Sequence, residues 1–339
     1  SYQYLRLTSI TLTGIEEFEK PIAKEIESNI PRRVYVGDSA NVTAKIKLDD
    51  GTYAAFGADN TVAVTGDNFA TVSDVSVNGE KLAHHDGGYS TWRVDITKSL
   101  TDSTVIDIDV DNSPNDRVYP QMADFTFYGG LYRDVNLICV PESHFDLDYF
   151  GTPGIKVTPE IKGKDAEIEV EVYLSNKKDG QTLRYTITDA RGNVVATKTT
   201  DDDDEDFDIK NVHLWHGRRD PYLYTAKVEL LEGETVLDEV STRFGCRTFK
   251  IDPAKGFFLN GESYPLHGVS RHQDRLGIGN ALLPEHHKED MEYICEVGAN
   301  TIRLAHYQHD QYFYDLCDEK GMVIWAEIPY ISQHMATGR

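Results

Sequence analysis

The sequence predicts a mostly β chain, two β-sandwiches in succession followed by a short series of parallel βα units. Three observations predict it. Up to about residue 250, apolar and polar residues alternate with a period near two in short runs bounded by Gly, Asn and Asp turns. Near residues 140–159, "VPESHFDLDYFGTPGIKVTP", the alternation is broken by two Pro and Gly interruptions, the signature of a junction. After residue 250 the pattern changes to strand, helix, strand, helix, strand.

At 339 residues the chain is long for one hydrophobic core, because cores stop growing near roughly 250 to 300 residues. Two or three domains are expected, over residues 1–145, 146–250 and 251–339. In the first, "NVTAKIKLDDGTYAAF", "ATVSDVSVNGEKL" and "STVIDIDVDN" read as strands with one buried face, and their "NG" and "DG" pairs suit hairpin turns. In the second, "AEIEVEVYLSN", "TLRYTITDARGNVVATKTT" and "YLYTAKVELLEGETVLDEVSTRF" read the same way. Residues 157–250 have the length and strand spacing of an immunoglobulin-like sandwich. Within them Asp201 to Asp206, "DDDDED", is a like-charge block expected to form a solvated loop. A calcium site would need a ligand geometry that this run does not encode.

The third region opens with the strand "YPLHGVSRH". Next comes "LPEHHKEDMEYICEVGA", where Met291, Ile294, Cys295 and Val297 fall at helical spacing between Pro284 and Gly298. "NTIRLAHY" is a second strand, "HDQYFYDLCDEKG" a second helix closed by Gly321, and "MVIWAEIPYI" a third strand. A βαβ series implies parallel pairing with right-handed crossovers.

The formal net charge of −23 repels phosphate backbones and anionic lipid heads, which argues against nucleic acid and membrane partners. A neutral polar substrate such as a sugar feels no such field. No apolar run approaches the roughly 20 residues that span a bilayer, and "SYQYLRLTSI" lacks the form of a signal peptide. Cys139, Cys246, Cys295 and Cys317 are scattered among apolar neighbours without metal-type spacing, so buried free thiols in a reducing, cytoplasmic compartment are expected. A trimmed signal would instead place the chain outside the cell. Cys295 and Cys317, on successive helices, are candidates for contact.

Ligands of a parallel βα series gather at the carboxyl ends of its strands. Those ends are polar in step here: Arg271, His272 and Asp274, then His306, Tyr307 and His309, then Glu327 and His334. One polar surface facing a common cleft is expected. Zinc is disfavoured, since neither "SRHQD" nor "AHYQHD" has the paired-ligand spacing of zinc sites.

"FFLNGESYPLHGVSRHQD" and "VGANTIRLAHYQHDQYFYDLCDEKGMVIWAEIPYIS" resemble the opening of the catalytic (β/α)8 TIM barrel of family 2 glycoside hydrolases, most of all their β-galactosidases. Upstream, "VSVNGEKLAHHDGGYSTWRVDIT" and "VDNSPNDRVYPQMADFTFYGGLYRDVNLI" resemble the family's jelly-roll sugar-binding domain, and "LWHGRRDPYLYTAKVEL" its immunoglobulin-like domain. Residues 1–70 depart from the family's usual opening. The resemblance implies that His272 and His306 bind sugar hydroxyls, with His306 also meeting the transition state. It implies that Arg303 orients a carboxylate nucleophile, and that Asp124 reaches from the jelly-roll to the sugar's edge, in some members with sodium. Trp325 becomes a candidate stacking platform, and Glu327 and His334 candidate magnesium ligands. No organic cofactor is implied, and a homo-oligomer is expected.

Retaining glycosidases need two carboxyl groups roughly 5 to 5.5 Å apart. In the family these come from later barrel strands, the acid/base from an Asn-Glu pair that residues 251–339 do not contain. A closed barrel takes about 250 residues and this portion supplies 89. The expectation is therefore the amino-terminal part of a retaining exo-β-galactosidase, inactive alone. β-Glucuronidase and β-mannosidase parents, or a non-catalytic carbohydrate-binding module, are the alternatives.

Overall fold

The computed structural model describes residues 72–331, apart from 102–103, 114, 116 and 119–122, together with the backbone of short strands between residues 6 and 67. Alternation builds the first sandwich. One sheet takes the strands Arg6–Leu7, Ile106–Asp111, Val72–Val77 and Glu80–Asp86 in that spatial order, and the other takes Thr91–Asp95, Asn60–Asp67 and Val135–Pro141. Val75, Val77, Ile106 and Ile108 of the first sheet pack with Val94 of the second, while the residues between them face outward. The "NG" pair is the predicted hairpin turn. Asn78 and Gly79 both have positive φ, 51° and 82°, the type I′ combination that matches strand twist. The Asn78 side chain also accepts from the Val105 amide at 2.9 Å, tying the turn to the neighbouring strand Ile106–Asp111 of the same sheet.

The junction is an ordered loop. Arg93 of the first sandwich donates to the carbonyls of Leu147, Gly151 and Thr152. The second sandwich opposes the strands Ile155–Lys162, Asp165–Val172 and Asp204–Ile209 to Val194–Thr200, Gln181–Thr188, Tyr224–Glu232 and Thr235–Phe244. Its core, which includes Ile168, Val170, Leu183, Tyr185, Val228 and Leu230, is fully withdrawn from water. Burying each aliphatic side chain there stabilises the fold by about 1.5–3 kcal/mol. The acidic run meets the expectation of a solvated loop only in its first half: Asp201 to Asp203 are exposed outside any strand, whereas Asp204 to Asp206 belong to one. Period-two alternation turns Asp204 and Asp206 to water and Glu205 inward beside Phe207 and Ile209, where Lys198 meets its carboxylate at 2.5 Å.

The parallel series follows a small antiparallel sheet of Phe249–Asp252, Gly256–Leu259 and Glu262–Ser263. Its elements are β1 (Gly268–Arg271), α1 (Pro284–Glu296), β2 (Thr301–Leu304), α2 (Gln311–Lys320) and β3 (Val323–Ala326), with β1, β2 and β3 paired in parallel. Local chemistry sets the helix ends. Pro284 starts α1 where its missing N–H costs nothing. Asp310 caps α2 by accepting from the Tyr312 amide at 2.9 Å, and Gly321 closes it at φ 71°. Met291, Ile294, Phe313 and Leu316 face the sheet and cover Ile302 and Leu304.

Both sandwiches dock on this unit. Trp215 Nε1 donates to the Asp318 carbonyl at 3.0 Å and Arg218 to that of Lys320 at 2.9 Å, so a cation and an N–H satisfy the carboxyl end of α2. Gly321 is required there, since a Cβ would fall on the Gly217 carbonyl. From the first sandwich, Arg133 donates to the Gln308 carbonyl at 2.8 Å, just after β2. All four cysteines are free. Burial pushes the thiols of Cys139, Cys246 and Cys317 up to about 12, which leaves them protonated and inert. Among the described residues, no helix is long and apolar enough to cross a membrane.

Candidate functional site

Strand phase decides which polar strand-end groups face the barrel interior. Ile302 and Leu304 are buried against the helices, so Arg303 between them faces the opposite side. Ser270 and Trp325 are in register with Arg303, whereas Arg271 is in register with Leu304. Arg271 consequently points into the helical layer. Two arginine–histidine groups result, back to back across the sheet.

On the interior side, Arg303 Nε donates to Glu327 Oε1 at 2.5 Å and Nη2 to Oε2 at 3.3 Å, a two-pronged grip. His306 Nδ1 lies 2.8 Å from Glu327 Oε2 and 3.1 Å from Arg303 Nη2. One nitrogen cannot both donate to the carboxylate and accept from the guanidinium, and the shorter distance places the proton on Nδ1, donated to Glu327. The other ring nitrogen is thereby left for a ligand. Burial would raise the Glu327 carboxyl, but the bonds from Arg303 and His306 outweigh it and hold the group below the usual range. Glu327 is thus an ionised post that orients two donors. Trp325, in line with Arg303, is 67% exposed and has an accessible ring.

His272 stands beside this group, its ring centroid 5.3 Å from that of His306. Burial first, then the neighbouring His306 and Arg303, push its imidazole below the ordinary value, while Asp274 and Asp124 pull the other way. Asp124, on an exposed loop of the first sandwich, is thus close enough for its charge to act on His272. The residue after it was not anticipated. Phe125 places its ring 4.8 Å from His272, 5.9 Å from His306 and 5.6 Å from Tyr307. Tyr89, from the tip of another loop of the same sandwich, stacks on Tyr307 at 4.4 Å. The first sandwich thus walls the pocket with aromatic faces.

On the helical side, Arg271 is buried. Its Nε and Nη2 donate to Asp290 Oδ2 at 2.9 and 2.7 Å, Nη1 to His309 Nδ1 at 3.1 Å, and Nη2 to His287 Nδ1 at 3.1 Å. The guanidinium also lies 3.9 Å over the Phe313 ring. Both imidazoles must be neutral at Nδ1 to accept. The Nε2–H of His309 donates to the Ala305 carbonyl at 3.1 Å, and that of His287 has no hydrogen-bond partner. Burial, then Arg271, push His287 and His309 down to about 3. Arg271 and His309 therefore correct the expectation of one common polar surface, because they hold the helices to the sheet. Their phase carried the signal: Arg271 shares that of Val269, and Arg303 opposes that of Ile302 and Leu304.

His334 lies outside the described residues. Among the described residues no three His, Cys, Asp or Glu side chains converge as metal ligands, and both Glu327 oxygens are taken by Arg303 and His306.

Residues 153–247 match the model of glycosyl hydrolases family 2, and residues 250–338 match that family's TIM barrel domain. A β-glucuronidase of Bacteroides fragilis is 38% identical over 78% of this chain, which covers 40% of that protein. A β-galactosidase of Thermoanaerobacter pseudethanolicus is 30% identical over 76% of the chain, covering 36% of it. The crystal structure of an FMN-binding β-glucuronidase from Facaelibacterium prausnitzii superimposes with a TM-score of 0.81 at 36% identity, over 99% of this chain and 54% of that one. The chain thus spans about half or less of the length of the relatives it matches. With two family models placed in order over the second sandwich and the parallel series, the chain belongs to glycosyl hydrolases family 2.

Proposed function

We propose that this chain is the amino-terminal part of a retaining, exo-acting β-glucuronidase. The observation that carries the reading is the interior group of Arg303, His306, Glu327 and His272 under the Asp124 loop, in a chain whose relatives at 38% and 36% identity are named β-glucuronidases. The pocket supplies what hydroxyl recognition needs, fixed donors and acceptors on a partly buried aromatic floor. His306 and His272 bind ring hydroxyls, and Asp124 binds the sugar's edge. Two of the five N–H donors of Arg303 are used on Glu327, leaving donors that hold an anionic nucleophile ionised. The acid/base and nucleophile carboxylates come from polypeptide beyond residue 339, on later strands of the same barrel. β-Galactosidase, the sugar suggested by the sequence motifs, is the second reading, supported by the Thermoanaerobacter relative at 30% identity.

Hydrolysis of aryl β-glycosides by a polypeptide carrying the complete barrel tests the proposal. The β-glucuronide is expected to exceed the β-galactoside in kcat/KM by about 100-fold or more, since a site built for a carboxylate leaves its cation unpaired with a neutral sugar. Preference for the galactoside would overturn the sugar assignment. Turnover by the 339-residue chain alone would overturn the assignment of the carboxylates.

A further inference from the structure

We infer that Phe125, a residue of the first sandwich, is a positioning residue for the two pocket histidines of the barrel. The inference rests on the reading of His272 and His306 as sugar-binding groups, and it assigns the sandwich a part in the reaction beyond contributing Asp124.

The two histidines are held differently. Hydrogen bonding fixes His306 through Nδ1 on Glu327 at 2.8 Å. For His272 the bond found is a long one, 3.4 Å between Nδ1 and the Tyr307 hydroxyl, a hydroxyl that already accepts from the Gln273 amide at 3.2 Å. At that length a hydrogen bond is weak and orients poorly. What fixes the His272 ring is packing. Phe125 lies against it at 4.8 Å and 41°, and His306 packs edge-on beside both rings, 5.3 Å and 64° from His272. The Phe125 ring is nearly parallel to His306 at 23° and tilted onto Tyr307, which Tyr89 also covers by stacking. One phenyl ring therefore touches three site side chains and has no polar atom with which to meet substrate.

Removing such a ring frees the His272 imidazole to rotate between its two broad χ2 wells, so the donor leaves the sugar hydroxyl even though nothing polar has been lost. Misplacement on this scale costs up to about 100-fold in rate. The orientation also depends on docking of the first sandwich, so it is set only when that sandwich and the barrel are assembled.

The test uses Phe125→Leu and Phe125→Tyr in the polypeptide with the complete barrel, on whichever aryl β-glycoside the wild type hydrolyses best. Phe125→Leu is expected to lower kcat/KM by about 10- to 100-fold, to lose affinity for a transition-state-like iminosugar in parallel, and to change its melting temperature little. Phe125→Tyr, which keeps the ring, is expected to stay within about threefold of wild type. A crystal structure of Phe125→Leu should show His272 rotated while the Arg303–Glu327–His306 group stays in place. The inference is overturned if Phe125→Leu retains wild-type kcat/KM, or if His272 keeps its orientation. It is also overturned if melting temperature falls while kinetics per folded molecule are unchanged. If the wild type hydrolyses no glycoside, the functional reading fails, and the His272 orientation in the variant crystal still decides the positioning claim.

Discussion

Two arginines one strand apart meet opposite fates. Arg303 faces the barrel interior with a side chain 44% exposed, and its partner His306 keeps one ring nitrogen for a ligand. Arg271 has a side chain 5% exposed, and its partners Asp290, His287 and His309 spend their bonds on it. Both are Arg–His–carboxylate groups, so residue type alone does not separate binding from structure. Burial and the role of each imidazole Nδ1, acceptor from Arg271 or donor to Glu327, do. A group with neutral acceptors around a desolvated cation is a fastening, whereas one with an ionised carboxylate between two donors at an open face is a receptor.

The largest expected effect tests the fastening. Arg271→Met removes a donor to three partners at once and leaves the carboxylate of Asp290 and two imidazole acceptors unpaired. Breaking a buried ion pair of this kind costs about 3 kcal/mol, with the partial exposure of Asp290 softening the upper end. Urea denaturation should show that loss in Arg271→Met. Arg303→Met should lose less than about 1 kcal/mol, since its partners remain reachable by water. Equal losses in the two variants would erase the distinction.

Acid should separate the groups next. His287 and His309 are held down to about 3 in the folded chain and return to ordinary values near 6.5 when it unfolds. The unfolded state therefore binds more protons below pH 6.5. The stabilisation is complete above that pH and is lost progressively as pH falls towards 3. Each imidazole contributes a slope of up to about 1.4 kcal/mol per pH unit. Urea midpoints measured from pH 7 to pH 5 should fall steeply, and His309→Gln should remove about half of the slope. An unchanged slope in that variant would mean that other groups carry the acid sensitivity.

In the receptor, His306→Ala should reverse the pattern. Turnover by the complete barrel is expected to fall by about 100-fold with KM moved far less, because the lost donor acts mainly on the transition state. Stability should change by under about 1 kcal/mol, since Glu327 keeps Arg303. A collapse in melting temperature with normal kinetics per folded molecule would assign His306 to the fastening instead.

The sequence makes the two sandwiches legible because period-two alternation reports a buried face directly, as in Val72–Val77 and Asp165–Val172. It also makes the helix ends legible, since Pro284, Asp310 and Gly321 have local reasons for their places. The second half of the acidic run is misleading because charge density suggests a loop while the phase of Glu205, Phe207 and Ile209 makes a strand. The polar strand ends are identified as a group, but sorting them requires the phase of each strand. Phe125 and Arg133 are harder still, because their contacts form only when two separately folded units dock, and no local pattern encodes the docking.

Tyr307 lies between the two groups and gives the finest test. Its ring is 5.9 Å from His272 on the receptor side and 5.3 Å from His309 on the fastening side, and its hydroxyl accepts from the Gln273 amide at 3.2 Å. Tyr307→Phe keeps both ring contacts and removes the hydroxyl alone. A single neutral hydrogen bond is worth about 1 kcal/mol, and the buried Gln273 amide left behind makes the loss visible in urea denaturation. If Phe125 and His306 set the His272 ring, turnover should change by no more than about threefold. A tenfold loss of turnover would instead show that the long bond from this hydroxyl orients His272, and would move the control of the receptor from ring packing to hydrogen bonding.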